Sequence, residues 1–439
     1  MQLTHIQKII VASVGGFILL ILLVAFGILP GVRKLREKPP EVELTIWGID
    51  HRSLFQEAFT SYESFRPNVK VDYEQIDPVT YEQDIINALA GGTGPDVVMF
   101  HNSWLPKHYN KIVPLDPLTL TFKDFQTLFP VVVEQDFAPT QSIYALPLFI
   151  DTLALLYNQD IFDKNGIAVT PADWLEFQNI IPNLRQKNAD GAFVKSSAAI
   201  GGSAKTISYA PELLQLLMLQ AGAQMTDVDF QGASFSAGVN QTRPGADALE
   251  FYTKFTNAND VFYTWNDNQK DAYETFAQGD VAMTFGYAGT REYIKEKNPF
   301  INFSVGPMPQ PSARTQAVNF ADYWGLAVTN NGANPTWAWD LIFYLTTNEQ
   351  VAEAYTKLTN RPPALRNLIQ KYVDHPTLGV FAKQALSARS WPRIDKKIID
   401  GIFSQMIDSV ISGKLDASEA ISEGEQQVTN LMQSRKPRQ

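Results

Sequence analysis

Hydrophobic and polar residues alternate near the start of the folded chain and then repeat at helical spacing. Residues 44–47, Leu-Thr-Ile-Trp, alternate as a half-buried strand does, and Gly48 ends the pattern. The apolar residues within 54–65 recur every three to four positions, which predicts an amphipathic helix. A second strand is predicted at 69–73, after the turn residues Arg-Pro-Asn. This order of elements indicates an α/β fold.

The loop after the first strand is the first candidate binding segment. It lies at the carboxyl end of a strand and just before a helix, where open α/β sheets bind ligands. Its candidate residues are Trp47, Asp50 and His51. Trp47 has a second interpretation as a core anchor, since tryptophan is largely buried in most folded proteins.

A glycine turn and an apolar strand, GGTGPDVVMF, lead into a second candidate loop. Asn102 and Ser103 can donate and accept hydrogen bonds, and Trp104 offers a flat apolar face. The glycines do not predict a phosphate-binding loop, because Pro-Asp and a strand follow them instead of a Lys-Ser/Thr pair and a helix. His101 and His108 lack an acidic neighbour placed to complete a metal site, so no metal is expected.

An apolar run further along, YALPLFIDTLALLYN, contains a single acid, Asp151. Turn residues flank the run, which predicts one or two buried strands of the sheet. A carboxylate in such a place is costly unless it is paired or hydrogen-bonded. Two interpretations follow: Asp151 lies on the exposed face of a hinge and bonds nearby backbone, or it points into a cleft and accepts hydrogen bonds from a ligand.

Residues 9–29 form a stretch of 21 residues without a charge, long enough to cross about 30 Å of hydrocarbon as a helix. Secretory signals have apolar cores of about 7–15 residues, so an uncleaved membrane anchor is predicted. Ala25 and Gly27 keep a cleaved signal as the alternative. Four basic residues follow the stretch and only Lys8 precedes it, a bias that by itself favours a cytoplasmic domain. Residues 30–42 are predicted to form an extended linker.

Composition limits the classes of function. A chain of 439 residues exceeds one ordinary domain and suggests two lobes. A hydrophobic content of 45% supports sizeable cores, and a formal net charge of −10 argues against nucleic-acid binding. The sequence has no cysteine, which excludes disulfides, thiol nucleophiles, thiolate metal sites and a lipid-modified amino-terminal cysteine.

Several separate motifs, taken in order, resemble the family 1 extracellular solute-binding proteins, the group that includes maltose-binding protein. GTGPDVV is one such motif, and FAQGDVAMTFGY is another. The run around Asp151, the segment 320–325 and the sequence NRPPA at 360–364 resemble the family's three crossovers between lobes. The resemblance covers about residues 43–432.

This resemblance implies an α/β, two-lobed periplasmic-binding-protein-like fold of type II, with each lobe a sheet flanked by helices. An N-terminal transmembrane helix would precede it, and the lobes would close over a ligand about a hinge. It also implies that the binding domain is extracytoplasmic, against the charge bias around the anchor. The predicted divisions are a tail at 1–8, an anchor or signal at 9–29, a linker at 30–42, lobe 1 at 43–150 plus 326–359, lobe 2 at 151–325 plus 360–432, and a tail at 433–439.

The function implied is the membrane-anchored substrate-binding subunit of an ABC importer, which binds a mono- or oligosaccharide without catalysis. Its partners would be the sugar and the permease subunits, and the protein would be a monomer without a cofactor. Aromatic rings suit the apolar faces of sugars, and polar side chains suit their hydroxyls. The predicted ligand-binding residues are Trp47, Asp50, His51, Asn102, Ser103, Trp104, Asp151, Tyr287, Arg291, Trp324 and Trp391.

Two other classes of function remain as alternatives. A glycoside hydrolase could use Asp50 and Asp151, but it needs carboxylates roughly 5–10 Å apart and one with a raised pKa, and neither surrounding sequence indicates that. A membrane-tethered sensor or scaffold could use the same fold without a transporter. Within the binding-protein class, Ser103 and Trp104 replace an acid and a basic residue of maltose-binding protein, which disfavours maltose as the ligand.

Overall fold

The structure is a computed structural model that describes residues 13–19, 23, 40–191, 193–238, 242–312 and 316–434. Residues 13–19 are helical, and the rest of the predicted anchor, apart from position 23, lies outside the described residues. The predicted linker also lies outside them up to residue 39. No helix among the described residues is both long enough and apolar enough to cross a membrane.

The first sheet belongs to lobe 1 and has the strand order β2-β1-β3-β13-β4, with β5 also paired to β13. β1 is parallel to β2 and β3, whereas β13 is antiparallel to its neighbours. Its strands are β1 (Val42–Gly48), β2 (Val69–Gln75), β3 (Val97–His101), β4 (Ile112–Val113), β5 (Leu146–Pro147) and β13 (Trp324–Thr329). The predicted alternation is present in β1, where Leu44 and Ile46 are buried in the lobe 1 core.

The second sheet belongs to lobe 2 and has the order β11-β7-β10-β9-β8. Its strands are β7 (Ala154–Asn158), β8 (Gln186–Lys187), β9 (Phe193–Ala198), β10 (Val281–Gly286) and β11 (Phe303–Gly306). All six residues of β10 are buried, as expected for a strand covered on both faces.

Helices pack on both sheets. They are α1 (Gln56–Phe65), α2 (Tyr81–Ala90), α3 (Leu105–His108), α4 (Phe122–Leu128), α5 (Val131–Phe137), α6 (Gln159–Lys164), α7 (Trp174–Leu184), α8 (Ala210–Ala221), α9 (Pro244–Thr253), α10 (Ala272–Ala277), α11 (Ala288–Lys297), α12 (Pro335–Thr347), α13 (Glu349–Thr359), α14 (Arg366–Tyr372), α15 (Gly379–Ala385), α16 (Lys396–Ile411) and α17 (Ala417–Ser434). Short 3₁₀ helices lie at Arg52–Leu54, Tyr109–Lys111 and Lys254–Thr256.

A small three-stranded sheet forms the hinge between the lobes, with the order β14-β12-β6. Its strands are β6 (Asp151–Thr152), β12 (Asn319–Asp322) and β14 (Ala388–Arg389). The chain passes from β5 through β6 into β7, and it returns from β12 into β13. A third passage runs through β14, between α15 and α16.

The third passage differs from the predicted one at 360–364. Leu368, Ile369 and Phe381, on α14 and α15, are buried in the lobe 1 core, because both helices pack their apolar faces against that lobe. The structure therefore keeps the chain in lobe 1 to the end of α15, whereas the predicted division places residues 360–432 in lobe 2.

Two hydrophobic cores, one for each lobe, account for the architecture. The first includes Phe100 and Leu341, and the second includes Phe285 and Phe403. The predicted two-lobed α/β fold is confirmed.

Candidate functional site

A cavity of about 530 Å³ lies between the lobes beside the hinge. Lobe 1 contributes residues that follow the carboxyl ends of β2 and β3, and lobe 2 contributes the first turn of α16. Asp322 and Trp324, on either side of the second passage between lobes, complete the lining. The cavity thus occupies the edge of the sheet at which α/β proteins bind ligands.

Three aromatic rings form the lobe 1 wall of this cavity. Trp104 and Trp324 meet edge to face with ring centroids 5.1 Å apart, and Tyr81 stacks on Trp104 at 5.8 Å. The Tyr81 hydroxyl donates to the backbone carbonyls of Trp47 and Met99, at 2.7 and 3.0 Å, which fixes the ring. The wall is therefore a rigid apolar surface of the kind on which a flat apolar face of a ligand can stack.

A buried histidine–carboxylate pair borders the cavity at the hinge. His101 Nε2 lies 3.1 Å from Asp322 Oδ1, and His101 Nδ1 lies 3.2 Å from the backbone N–H of Ser103. Because that N–H can only donate, Nδ1 is the acceptor and the Nε2–H donates to Asp322. Burial lowers the pKa of His101, so the imidazole is neutral at pH 7 and Asp322 carries the negative charge of the pair.

Lys396, the first residue of α16, brings a positive charge to the same end of the cavity. Its Nζ lies 2.7 Å from Asp400, 3.0 Å from Glu212 and 3.9 Å from Asp322. Burial raises the pKa of Asp322, but its hydrogen bond to the imidazole and the charges of Lys396 and Arg393 outweigh burial and hold that pKa well below its usual range. Asp322 is therefore an ionised acceptor, and its Oδ2 makes no hydrogen bond to any described residue.

A second cavity of about 530 Å³ adjoins the first, since Lys107 of lobe 1 and Ile394 of lobe 2 line both. Apolar side chains, including those of Phe230 and Met432, form much of its remaining surface. The two cavities together form an extended cleft between the lobes.

Lys107 links the lobes across this cleft. Its Nζ lies 2.7 Å from Asp395 in lobe 2 and 2.9 Å from Glu82 in lobe 1. Burial lowers the pKa of Lys107, but its two acidic partners outweigh burial and raise the pKa above its usual value. Burial has the opposite effect on Glu82 and raises its pKa, yet the hydrogen bonds from His108 and Lys107 bring that pKa to about 2. Lys107 and Glu82 are therefore both charged at neutral pH.

Replacing Lys107 with methionine is expected to favour a more open arrangement of the ligand-free lobes. Methionine keeps the length of the side chain but removes the ammonium that joins Glu82 to Asp395. The side chains of Lys107 and Asp395, which form the ion pair between the lobes, are 17% and 8% exposed. Losing this pair should shift the closing equilibrium by at least the ~1 kcal/mol of an exposed pair, or roughly fivefold. Small-angle X-ray scattering should show a larger radius of gyration. Lys111→Met is the matched control, because the Lys111 ammonium bonds the Asn110 side chain instead; an unchanged radius in Lys107→Met would contradict the bridge.

The family model described as bacterial extracellular solute-binding protein matches residues 57–378 of this chain. The chain belongs to this family. A curated relative from Brucella abortus, named as a binding protein, is 24% identical over 384 residues, which cover 82% of this chain and 85% of the relative. The predicted membership of a solute-binding family is confirmed.

Solved structures of solute-binding proteins share the fold. The sugar-binding protein MalE from Xanthomonas citri superposes with a TM-score of 0.75 at 18% identity, covering 90% of this chain and 98% of that one. A cyclo/maltodextrin-binding protein in complex with maltotetraose gives 0.74 at 17% identity, covering 92% and 100%. A Thermotoga lettingae solute-binding protein bound with α-D-tagatose gives 0.68 at 21% identity, covering 89% and 99%. These structural similarities establish that the chain has the two-lobed fold of solute-binding proteins.

Three of the residues predicted to bind ligand line the first cavity of this solute-binding protein: Ser103, Trp104 and Trp324. Tyr287 precedes α11, and its hydroxyl is buried without a hydrogen bond to any described residue. Arg291, one turn along α11, is half-buried, and burial lowers its pKa.

Asp151 is bonded to hinge backbone in the structure. Its carboxylate accepts from the N–H of Ala288 at 2.9 and 3.1 Å and from the N–H of Thr152 at 2.8 Å. Ala288 is the first residue of α11, so the carboxylate lies at the positive end of that helix. Burial raises the pKa of Asp151 to about 7, although these N–H groups lower it, which differs from the ordinary surroundings expected from the sequence. The hinge interpretation predicted these backbone contacts, but it was wrong about exposure, because the side chain of Asp151 is buried.

Asp50 and Asn102 are engaged inside lobe 1. Asp50 forms a two-pronged ion pair with Arg361, at 2.8 and 3.0 Å, and accepts from the Tyr355 hydroxyl at 2.6 Å. The Asn102 amide donates to Asp136 at 2.9 Å. Neither Asp50 nor Asn102 lines the interlobe cavity. The pair of carboxylates considered for glycoside hydrolysis, Asp50 and Asp151, is therefore not assembled there. The family is one of binding proteins rather than enzymes.

The other three predicted residues lie outside the cavity lining. Trp47 is half-buried against the lobe 1 core, and His51 is exposed and accepts from the backbone N–H of Ser53 at 3.2 Å. Trp391 is buried in the lobe 2 core, and its indole N–H donates to Gln215 at 2.9 Å. The packing of Trp47 agrees with its interpretation as a core anchor. Its backbone carbonyl accepts the hydrogen bond from Tyr81 and so helps to hold the aromatic wall in place.

The predicted set omitted the other residues that line the cavity, among them Tyr81, His101, Asp322 and Lys396. Tyr81 and Lys396 are the first residues of α2 and α16, and a search of helix starts after strands could have found Tyr81. From the sequence, His101 is considered only as a possible metal ligand, and Asp322 is included only within the segment 320–325 that resembles a crossover. Among the described residues, no group of three or more His, Asp and Glu side chains is arranged to hold a metal ion.

Proposed function

We propose that this solute-binding protein is the substrate-binding subunit of an ABC importer and that it binds a carbohydrate in the interlobe cavity. The observation that carries the proposal is one cavity, between two hinged lobes, that combines the Tyr81–Trp104–Trp324 wall with the hydrogen-bonding groups of Ser103 and Asp322. Sugars need both features, because each ring has an apolar face and several hydroxyls.

The named ligands of structural neighbours support the same class. They are α-D-tagatose, maltotetraose, mannobiose and mannotriose, so they range from one sugar unit to four. The cleft formed by the two adjoining cavities, each of about 530 Å³, has room for more than one sugar unit. We infer a mono- or oligosaccharide ligand on this basis.

We further infer that the binding domain is extracytoplasmic and that residues 9–29 anchor it to the membrane, where permease subunits would receive the ligand. The family's extracellular location and the lack of a cysteine for lipid attachment support this arrangement. Extraction of membranes with alkaline carbonate tests the anchor: the full chain should stay in the membrane, and its release would contradict anchoring.

Thermal denaturation of the full chain against a panel of mono- and oligosaccharides tests the function. A detergent without a sugar head group must be used, since such a head group would compete for the site. A ligand at 100 times its dissociation constant adds about 2.7 kcal/mol of stability, which raises the melting temperature by a few degrees. A sugar that stabilises the protein and is recovered intact supports the proposal. A sugar recovered as fragments would indicate an enzyme, and no response to any sugar would contradict carbohydrate binding.

Replacing Trp104 with alanine is expected to weaken binding of the stabilising sugar by about 1.5 kcal/mol, or roughly tenfold. The variant loses the ring at the centre of the aromatic wall, between Tyr81 and Trp324. Isothermal titration calorimetry on the folded variant measures the change. Trp337→Ala is the matched control, because Trp337 is half-buried on α12 and does not line the cavity. Equal losses of affinity in both variants would contradict a role of the wall in binding.

A further inference from the structure

Arg393 is a fully enclosed cation that has no hydrogen-bonded partner among the described residues. Its side chain is 0% exposed, and none of its three guanidinium nitrogens makes a hydrogen bond there. The guanidinium carbon lies 5.2 Å from the centre of the Phe320 ring. Arginine keeps its charge in proteins and has five N–H donors. A buried, unpaired charge of this kind is costly to the fold, so the position calls for a functional explanation.

The acids around Arg393 are already engaged. Asp136 accepts from Asn102 at 2.9 Å, from Tyr323 at 2.8 Å and from Ser390. Asp322 accepts from His101 through Oδ1 and lies 3.9 Å from the ammonium of Lys396. No carboxylate of a described residue forms an ion pair with Arg393, so its partner is to be sought in a ligand.

Two further buried polar atoms lack hydrogen bonds to described residues: the Tyr287 hydroxyl and Asp322 Oδ2. Asp322 pairs with Asp151 in the hinge sheet, and the backbone N–H of the residue after Tyr287 donates to the Asp151 carboxylate. Phe320, two residues before Asp322 on β12, carries the ring beside the Arg393 guanidinium. Burial by itself raises the pKa of Tyr287 and of Asp322, and the charge of Arg393 opposes that rise in both, in agreement with this placement. We call Arg393, Tyr287 and Asp322 the Arg393 cluster. It presents two donors and one ionised acceptor.

The cluster adjoins the interlobe cleft. Asp322 lines the first cavity, and Ile394, next to Arg393 in the chain, lines both cavities. The hydrogen bonds from Ala288 to Asp151 hold the start of α11 against the hinge and so position Tyr287. Asp322 is therefore the member of the cluster that a ligand in the cleft meets first, and Arg393 and Tyr287 lie behind it without lining either cavity.

We propose that the carbohydrate carries a carboxylate, as a uronic acid does, and that this carboxylate binds Arg393. This inference rests on the proposed carbohydrate function. A planar carboxylate matches the planar fork of a guanidinium and accepts two parallel N–H bonds from it. The Tyr287 hydroxyl donates a further bond, and a hydroxyl of the same sugar donates to Asp322 Oδ2. A neutral sugar would satisfy the Asp322 acceptor but would leave the arginine charge unpaired.

A single negative charge suits the cluster better than a double one. Asp322 is ionised beside Arg393 and repels a second anionic charge on the ligand. A sugar phosphate can also accept two parallel N–H bonds from a guanidinium, but it carries more than one negative charge at neutral pH. The structure therefore favours a carboxylate over a phosphate ester.

The test compares matched sugars on the wild-type full chain by calorimetry in a detergent without a sugar head group. Galacturonate, glucuronate and mannuronate, with their di- and trisaccharides, are set against galactose, glucose, mannose and their oligomers, and against the 6-phosphates. One acidic sugar is expected to bind roughly 10- to 100-fold more tightly than its neutral counterpart, as for a hydrogen-bonded charge. A neutral sugar that binds as tightly as its acid, or a phosphate that binds more tightly, would overturn the inference and leave the proposed function standing. Failure of all carbohydrates would overturn both.

Variants test whether Arg393 is the residue responsible for the preference for an acidic sugar. Arg393→Gln is expected to abolish the preference for the acidic sugar, and Arg393→Lys, which keeps the charge but loses the fork, should restore only part of it. Arg389→Gln is the matched control, since Arg389 is half-buried in the same segment and bonds a backbone carbonyl. Should Arg393 variants fail to fold, Tyr287→Phe tests the same cluster and should reduce the acid preference severalfold. A preference that survives in folded Arg393→Gln, or in Tyr287→Phe where Arg393→Gln does not fold, would overturn the assignment.

Discussion

Replacing Arg361 with alanine is expected to lower the free energy of unfolding by about 3–5 kcal/mol, because the change leaves a buried carboxylate without its counter-charge. Arg361 bonds both oxygens of Asp50, whose side chain is only 5% exposed. The Tyr355 hydroxyl bonds the same acid at 2.6 Å, so the acid is held from two sides. Chemical denaturation in urea, monitored by tryptophan fluorescence, measures the loss.

Two comparisons separate this effect from the ordinary cost of removing an arginine. Arg52→Ala removes an ion pair with Asp72 in which the two side chains are 43% and 66% exposed, so less than about 1 kcal/mol should be lost. Adding Asp50→Asn to Arg361→Ala removes the stranded charge, and part of the lost stability should return. If Arg361→Ala and Arg52→Ala proved equally mild, the ion pair would not be the source of stability.

The same variants decide what Asp50 does. The sequence predicts that Asp50 contacts the ligand, whereas the structure engages its carboxylate inside lobe 1. If Asp50 only stabilises lobe 1, the folded variants Arg361→Ala and Asp50→Asn should bind ligand with the wild-type dissociation constant. A loss of affinity that exceeds the loss in Trp104→Ala would return Asp50 to the binding site.

Local patterns explain how much of the fold could be predicted. The alternation at 44–47 and the apolar strand before Asn102 reflect burial within single elements, which neighbouring residues suffice to reveal. The sequence predicts the third passage between lobes too early, because NRPPA at 360–364 resembles a crossover. The helices that follow are apolar on one face, a pattern that would look the same in either lobe. Only packing shows that α14 and α15 belong to lobe 1.

The residues of the interlobe cavity were predictable only in part, for a related reason. Ser103 and Trp104 follow a strong strand signal, so their position at the edge of the sheet could be inferred. His101 and Asp322 are separated by 221 residues and meet only because β3 and β13 are neighbours in the sheet. Lys396 reaches the same place through the hinge. No local sequence pattern predicts that residues so far apart in the chain lie in contact. A buried, unpaired charge such as that of Arg393 has no sequence signature either.

Replacing Asp322 with asparagine is expected to weaken carbohydrate binding by about 1.5–3 kcal/mol, or roughly 10- to 100-fold, as for a hydrogen bond to a charged group. Asparagine keeps the shape of the side chain and an acceptor for the His101 N–H, so the hinge contact is retained. It replaces Oδ2, the oxygen that has no hydrogen bond to a described residue, with an uncharged NH2 group that can only donate. Calorimetry at pH 7 is suitable, since the pKa of Asp322 lies well below its usual range and the wild-type carboxylate is ionised there.

Asp400→Asn provides the matched control for this prediction. Asp400 also lines the cavity, but its two oxygens already accept from Gln215 and from Lys396, at 3.0 and 2.7 Å. If direct contact with the ligand matters, Asp322→Asn should lose far more affinity than Asp400→Asn. Equal losses would mean that the negative field of the cavity, rather than a hydrogen bond from the ligand, determines affinity. Unchanged affinity in Asp322→Asn would exclude this acid from the site and, with it, the acceptor of the Arg393 cluster.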